Sequence, residues 1–541
     1  MKVEGGGVPA GTILTADVCI VGAGPAGLTI ARELMSSGLD VCVLESGASG
    51  ADPAGAASLR LEPTDTELAP QDATRARGLG GTANIWNSYV RRQTAFRTVR
   101  LSPLDFEHRP AIPNSGWPFS YEDLVPYYER AESMLQVRHD TASAGYGFDF
   151  DPAIITHIFD CLGRAAFFTT HLPGLLTAAT NTRLITSATA VEVLTEASGA
   201  ATGVVVSNGK TRFQVNARLI VLAGGAIDTA RLLLSSTASN PAGLGNTYDV
   251  VGRYYLDHHN VIVGTLHPAQ AGLFDDVRLH AYDSRFDDGV HRIGRFTLSE
   301  DLRRQRDLLH GAFQPWPQPN EAFGARIGAA NAVLGGLLRR RFGTTLLGDG
   351  ASMVAGARFL ATDALRLGFL DDVLRKSGGW STIRHKARVL DRIDVIEQTE
   401  IAPRPENRLT LGTESDHFGV RRARVEMRWS EADVESVRSA QAIIKDQFES
   451  RGIGRFEPAW GEYDRPLLLY EGGAHHMAGT TRMNPSPKYG AVDSDSRLHE
   501  CPNIYVAGAS VFPTAGYANP TMTILALALR LADHLKRLKH E

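Results

Sequence analysis

The sequence predicts a mixed α/β protein: a mostly parallel sheet covered by helices, joined to a second, α+β domain built on an antiparallel sheet. Three observations carry this. The segment ADVCIVGAGPAGLTIARELMSSGLDVCVLESG (16–47) reads as strand, glycine turn, helix, strand. RLIVLAGGAIDTARLLL (218–234) repeats the strand–glycine–helix order. The middle of the chain, about 260–470, changes texture to short alternating segments and one clear helix. A chain of 541 residues exceeds what one compact core holds, so more than one domain is expected.

The elements follow in order. DVCIV is a continuous apolar run, as a parallel strand buried on both faces requires. GPAGLTIAREL has helical spacing, SSGLD ends that helix, and VCVLE is the next parallel strand. The glycine-rich loop ARGLGGTANIWN spans 76–87. NSGWPFSYEDLVPYYERAESML (114–135) opens a helix at Ser120, with Asp123 three residues on as a capping-box variant. A β-rich block at 183–224 contains the hairpin turn SNG. The second domain then has a Pro-rich stretch, QPWPQPNEAF, an Arg-bearing insert at 325–380, and the helix SEADVESVRSAQAIIKDQFESRG. The chain returns with NIYVAG as a strand, a loop, and a long apolar-faced terminal helix.

Composition is that of an ordinary soluble globular protein, with 43% hydrophobic and 21% charged residues. The net charge of −4 asks for no polyanionic partner, and no Lys/Arg tract resembles a nucleic-acid arm. Cys19, Cys42, Cys161 and Cys501 form no C-x-x-C pair, and the first two sit in apolar strands, so buried free thiols are expected. The N-terminal stretch lacks a signal-peptide pattern, and the longest internal apolar run, 327–338, is too short to span a bilayer. These features predict a cytoplasmic protein without stable membrane insertion.

Gly22, Gly24 and Gly27 form G-x-G-x-x-G, with Glu45 at the end of the following strand. Glycines here permit a tight turn, backbone approach to a pyrophosphate and close helix–strand packing. The helix N-terminus, with Pro25 and Ala26, then faces the anion. A carboxylate at the strand tip accepts from ribose hydroxyls. The assembly predicts an adenine dinucleotide. The same small-residue texture recurs at the far C-terminus, and there is no second G-x-G-x-x-G for a pyridine nucleotide, which favours FAD over NAD.

These segments, together with GLGGTANIW (78–86), VLAGGAIDTARLLL (221–234), HHMAGTTRM (475–483) and NIYVAGASVFPTAGYANPTMTILALALRLADHL (503–535), resemble the glucose–methanol–choline (GMC) family of FAD oxidoreductases, in the bacterial branch near pyranose oxidase, C-glycoside 3-oxidase and fructose dehydrogenase. The resemblance implies a Rossmann-like FAD-binding domain of GMC type with a p-hydroxybenzoate-hydroxylase-like substrate domain. Residues 1–100, 180–256 and 470–541 would form the discontinuous FAD domain. Residues 101–179 and 257–469 would form the substrate domain, with a lid or insert near 325–380. Beyond the glycine motif and Glu45, it places Ser46, Gly80, Gly81, Thr82, Asn84, Trp86, Ala190, Val191, Ala223, Gly224, Gly508, Ala509, Asn519, Pro520 and Thr521 at the cofactor.

In this family a histidine within H-x-x-G-T faces the flavin, with a His or Asn of the terminal block as partner. His476 matches, with Gly479 and Thr480 at the right offsets, and Asn519 of ANPT is the partner. Adjacent side chains on an extended segment point to opposite sides, so His475 is expected to turn into the protein as a hydrogen-bonded structural residue. A neutral imidazole suits removal of the alcohol proton as hydride leaves carbon for flavin N5. Some pyranose oxidases bind flavin covalently through a histidine just before the tryptophan. That position is Ile85 here, so the FAD is predicted to be noncovalent. Asn84, or the backbone of Thr82 and Ala83, would contact the flavin. Ala478 and Asn484 stand where the family usually has glycine.

The expected substrate is a small-molecule sugar or glycoside oxidised at C2 or C3 of the pyranose ring, with O2 or a soluble acceptor taking the electrons. A non-sugar alcohol of secondary-metabolite or sterol type, a non-redox lyase on the same fold, and a nonenzymatic flavoprotein are the alternatives. No metal is expected: Asp257, His258 and His259 are adjacent and cannot all ligate one ion from a strand, so they read as a loop where the chain leaves the FAD domain. The run Arg339–Arg341 reads as a solvated helix face.

Overall fold

The computed structural model describes residues 1–49, 57–66, 72–86, 93–137, 147–276, 292–321, 386–459 and 475–539, with residues 55, 68, 88–90, 325, 466 and 468. The 325–380 insert, apart from residue 325, and the Arg339–Arg341 run lie outside the described residues.

The first sheet contains β1 (Lys2–Glu4), β2 (Ile13–Val21), β3 (Val41–Leu44), β7 (Thr182–Thr186), β8 (Thr189–Thr195), β9 (Ala201–Ser207), β10 (Arg212–Leu222) and β18 (Ile504–Val506). Its order is β1-β7-β3-β2-β10-β9-β8, with β18 also on β10. The pairs from β1 to β10 and the β10–β18 pair are parallel, whereas β8–β9–β10 is an antiparallel meander. The apolar runs read from sequence are its buried centre: Val18, Cys19, Ile20, Val41, Cys42 and Val43 are wholly inaccessible. All four cysteines are buried free thiols.

The second sheet contains β4 (Ser88–Val90), β5 (Gln93–Thr98), β6 (Ile155–Arg164), β11 (His259–Pro268), β12 (Arg292–Leu298), β13 (Gly311–Pro319), β14 (Leu390–Thr399) and β17 (Gly454–Pro458). It is antiparallel, in the order β17-β11-β14-β13-β12-β6-β5-β4. A ribbon of β15 (Arg408–Ser415) and β16 (Arg421–Glu426) stands apart. Five helices of ten or more residues are described: α1 (Pro25–Leu34), α2 (Tyr121–Leu135), α3 (Gly225–Ser235), α4 (Glu431–Ser450) and α5 (Thr521–Arg537). Ser120 and Asp123 close the expected capping box on α2, and Ser430 with Asp433 closes another on α4. No described helix is long and apolar enough to cross a membrane.

Three segments sit differently from the expected division. Residues 88–90 and 93–98, placed with the first domain, are β4 and β5 of the second sheet, which the chain reaches soon after the 78–86 loop. Helix α2, placed with the substrate portion, packs on the terminal helix: the Tyr128 hydroxyl lies 2.7 Å from Thr523 Oγ1, and Arg130 donates to Glu33 of α1 at 3.0 Å. The β15–β16 ribbon, also assigned to the second domain, is pinned to α3 by Arg231 donating to Asp416 at 2.8 Å. The last two crossings are made by side chains, and the first by pairing with a distant strand, none of which periodicity can match.

Candidate active site

The three motif glycines do different work. Gly22 turns at φ +108°, and a Cβ there would lie 2.5 Å from the Ala223 carbonyl oxygen. At Gly27 a Cβ would lie 2.0 Å from the Gly22 carbonyl oxygen, so this residue lets α1 press onto the turn. A Cβ at Gly24 would meet no protein atom within 4 Å. Gly24 instead opens into a cleft, at the N-terminus of a helix with no side-chain cap and with Pro25 in its first turn.

That cleft is continuous, with a volume of about 430 Å³. Gly22, Gly24, Pro25, Ala26, Glu45, Ser46, Gly81, Thr82, Trp86, Ala190, Ala223, Gly224, Gly508, Ala509, Pro520 and Thr521 line it, and His476 and Asn519 stand on its wall. A bare helix N-terminus, an open glycine and a buried carboxylate along one groove fit a dinucleotide. Glu45 accepts from the N–H groups of Ala23 (2.9 Å), Gly47 (2.8 Å) and Gly78 (3.0 Å). It therefore ties three loops together as well as facing the groove. Burial pushes its carboxyl up, against the pull of those N–H groups.

Four expected cofactor residues do not line the cleft. Asn84 spends its amide on its own loop, donating to the carbonyls of Leu79 and Gly81 at 2.9 Å each. Gly80, at φ +93°, donates to the Ala23 carbonyl and backs onto Thr169. Val191 is buried where β8 bulges between Ala190 and Glu192 and does not reach the cleft. Gly27 acts through helix packing, as above.

At the other end, His476 Nε2 is 2.9 Å from Asn519 Nδ2, and Asn519 Oδ1 is buried with no hydrogen-bond partner among the described residues. His476 Nδ1 faces His258 Nδ1 at 2.9 Å. Asp257 Oδ1 accepts from the backbone N–H of His476 (2.7 Å) and of His258 (2.8 Å). Burial, and then His258, hold the His476 imidazole well below the ordinary histidine range, so it is neutral at neutral pH.

One expectation is corrected here and one is extended. His475 does not turn into the protein: it adopts φ +64°, which breaks the extended geometry, and it is exposed at the cleft. Asp257 and His258 do lie in a loop, a buried one that leads into β11 at His259, with His258 beside His476. Among the described residues no His, Cys, Asp and Glu group is placed to hold a metal ion. Ala478, whose methyl replaces the usual glycine hydrogen, is buried and pairs with Leu256 through both its N–H (2.8 Å) and its carbonyl (3.0 Å).

The buried groups give stability a pH optimum. His258 is pushed down to about 4 and His259 to about 3 by burial, so their contribution is lost as pH falls from the ordinary histidine range toward those values. Asp257 is raised to about 7 and Glu397 to about 8, so their contribution is lost as pH rises from the carboxylate range through those values. Because the two histidines and the two carboxyls offset each other in between, thermal melts of the holoenzyme are expected to be nearly level from roughly pH 4 to 6.5 and to fall on both sides of that window. A Tm still climbing at pH 8 would contradict this.

Two family models described as GMC oxidoreductase match residues 164–260 and 403–528, and one described as FAD binding domain matches 15–58. The chain is a GMC oxidoreductase. It is an FAD-dependent enzyme acting on CH–OH donors. Over 96% of its length it is 23% identical to 2-methyl-1,2-propanediol dehydrogenase of Mycolicibacterium austroafricanum, covering 95% of that protein. Over 22% of its length it is 37% identical to C-glycoside 3-oxidase of Arthrobacter globiformis, covering 22% of that protein. A solved fungal aryl-alcohol oxidase shares the fold, with a TM-score of 0.55, 14% identity, and coverage of 97% of this chain and 99% of that one.

In this GMC oxidoreductase the second sheet supplies cleft residues that the sequence reading did not single out. Asn260 on β11 pairs with Gln398 on β14, and Ile396 of β14 pairs with Gln314 on β13. These residues, with Trp316 two positions along, line the cleft beside Arg97. Arg97 Nη2 donates to Gln314 Oε1 at 2.9 Å. Below lies Asp160, whose Oδ2 is 2.5 Å from Arg295 and 3.7 Å from Arg97. Gln314 and Trp316 at alternate positions of β13, and Gln398 in β14, were the available signal.

Proposed function

We propose that this enzyme oxidises a secondary hydroxyl of a pyranose or glycoside, at C2 or C3, to the ketone, with His476 as base. The carrying observation is the pairing of a neutral His476 with an Asn519 carboxamide whose Oδ1 is unsatisfied, both facing the cleft. The His476 Nε2 lone pair takes the hydroxyl proton, and Asn519 holds the same hydroxyl through its amide. Bound FAD supplies the hydride acceptor, so the two electrons and the proton of the CH–OH group are accounted for. Asn260, Gln314, Gln398 and Arg97 offer hydrogen bonds to neighbouring ring hydroxyls, and Trp316 offers an apolar face to a pyranose. The likeness to C-glycoside 3-oxidase supports the same substrate class. Ile85 at the cleft, in place of a histidine, supports noncovalent FAD.

The test is anaerobic mixing with a panel of pyranoses, C- and O-glycosides and non-sugar secondary alcohols, watching the flavin band. Bleaching by a sugar or glycoside, with a ketosugar as product, is expected. Bleaching by the non-sugar alcohols alone would overturn the substrate class. The same mixtures in air, assayed for peroxide, separate O2 from a soluble acceptor.

A further inference from the structure

We propose that His258 is a positioning residue that sets the tautomer of His476, leaving Nε2 unprotonated toward the cleft. This rests on the reading of His476 as the base. The geometry begins with the backbone. Leu256 and Ala478 pair as a two-stranded ribbon, with reciprocal hydrogen bonds of 2.8 and 3.0 Å. That ribbon brings the next residue pair together, and one carboxylate oxygen, Asp257 Oδ1, accepts from the backbone of both histidines. The main chains of the two histidines are thereby tied to each other. The rings meet edge to face, with centroids 5.1 Å apart and planes at 77°.

Two imidazole Nδ1 atoms 2.9 Å apart hold one proton between them: one ring donates and the other accepts. Three features decide which. Gln398 Nε2, which donates to the Tyr517 carbonyl at 2.5 Å, also directs its N–H side toward His258 Nδ1, at 3.5 Å. The backbone at Gly516 and Ala515 favours a proton on the His258 ring, and the Gln398 amide facing Nδ1 places that proton on Nε2, an atom that makes no hydrogen bond among the described residues. His258 is wholly buried, so no bulk water competes for its lone pair. His258 therefore accepts at Nδ1, and His476 donates from Nδ1. The His476 Nε2 lone pair then meets the Asn519 amide at 2.9 Å, which substrate hydroxyl displaces or shares. The opposite assignment would present an N–H to the cleft, and a protonated nitrogen accepts no proton.

The test uses holoenzyme labelled with 15N-histidine and long-range proton–nitrogen correlation, with the His476 signals assigned by their loss in His476→Asn. In the wild type His476 is expected to be protonated at Nδ1 from pH 6 to 8. In His258→Phe, which fills the space but offers no acceptor, the Nε2–H form should dominate. His258→Asn, whose carboxamide oxygen occupies the Nδ1 position, should restore the Nδ1–H form. On whichever sugar bleaches the flavin, His258→Phe should lower kcat by about 10²-fold or more with little change in KM, and His258→Asn should recover most of it.

A wild-type His476 protonated at Nε2 overturns the proposal without any variant. So does a His258→Phe enzyme with unchanged tautomer and unchanged kcat. If no sugar is turned over, the sugar reading fails, while the nitrogen signals still decide the tautomer.

Discussion

Replacing His476 with alanine is expected to lower turnover by about 10²–10⁴-fold while the purified protein remains yellow. The magnitude is that of a positioned general base. Its imidazole is kept neutral by burial and lies against Asn519, the other group offered to the hydroxyl. Colour is retained because the groove from Gly24 to Gly224 is built from other elements. Rapid anaerobic reduction by substrate, followed by absorbance, checks this. A variant that reduces at the wild-type rate would remove His476 from the chemistry. A variant that purifies without flavin would make it a cofactor-holding residue. His475→Ala, at the exposed neighbour, should change the rate far less, since only Nε2 of His476 faces Asn519.

Gly24→Val is expected to give a folded protein that carries less than about a tenth of the wild-type FAD. The added side chain meets no protein atom, and the backbone at φ −82°, ψ −174° is one that valine adopts readily. What it fills is the space in front of the helix N-terminus, where the pyrophosphate needs close approach. Gly27→Val should behave oppositely. Its Cβ would collide with the Gly22 carbonyl, prying α1 from β2, so this variant should be insoluble. Circular dichroism and the flavin-to-protein absorbance ratio separate the two outcomes. The Gly24→Val protein should also melt earlier than wild type, because a ligand bound only by the native state no longer stabilises it. A yellow Gly24→Val protein would place the dinucleotide elsewhere. Acid precipitation of the wild type should leave all the colour in the supernatant, as noncovalent binding past Ile85 requires.

Local pattern carried the sequence reading far at both ends of the chain. The apolar runs at 18–21 and 41–44 are parallel strands, the Ser120 cap starts its helix, and the three glycines stand at the turn. These features depend on neighbours within a few residues, or on a period of 2 or 3.6. Asn84 misled because a loop side chain can serve its own backbone as easily as a ligand. His475 misled because a single left-handed residue cancels the alternation of an extended segment. The string Asp257–His258–His259 was visible, but its meaning was not, since it depends on the partner strand 219 residues away in sequence.

The sequence by itself determined the glycine turn, the dinucleotide groove, the GMC type of fold and the histidine–asparagine pair, because each is written in contiguous residues with fixed local geometry. Only the tertiary structure decided that β4 and β5 join the far sheet, that the cleft wall is made by Asn260, Gln314 and Gln398, and that a second histidine lies under the first. Those contacts join strands hundreds of residues apart, and register between distant strands is set by packing and hydrogen bonding that no local period records.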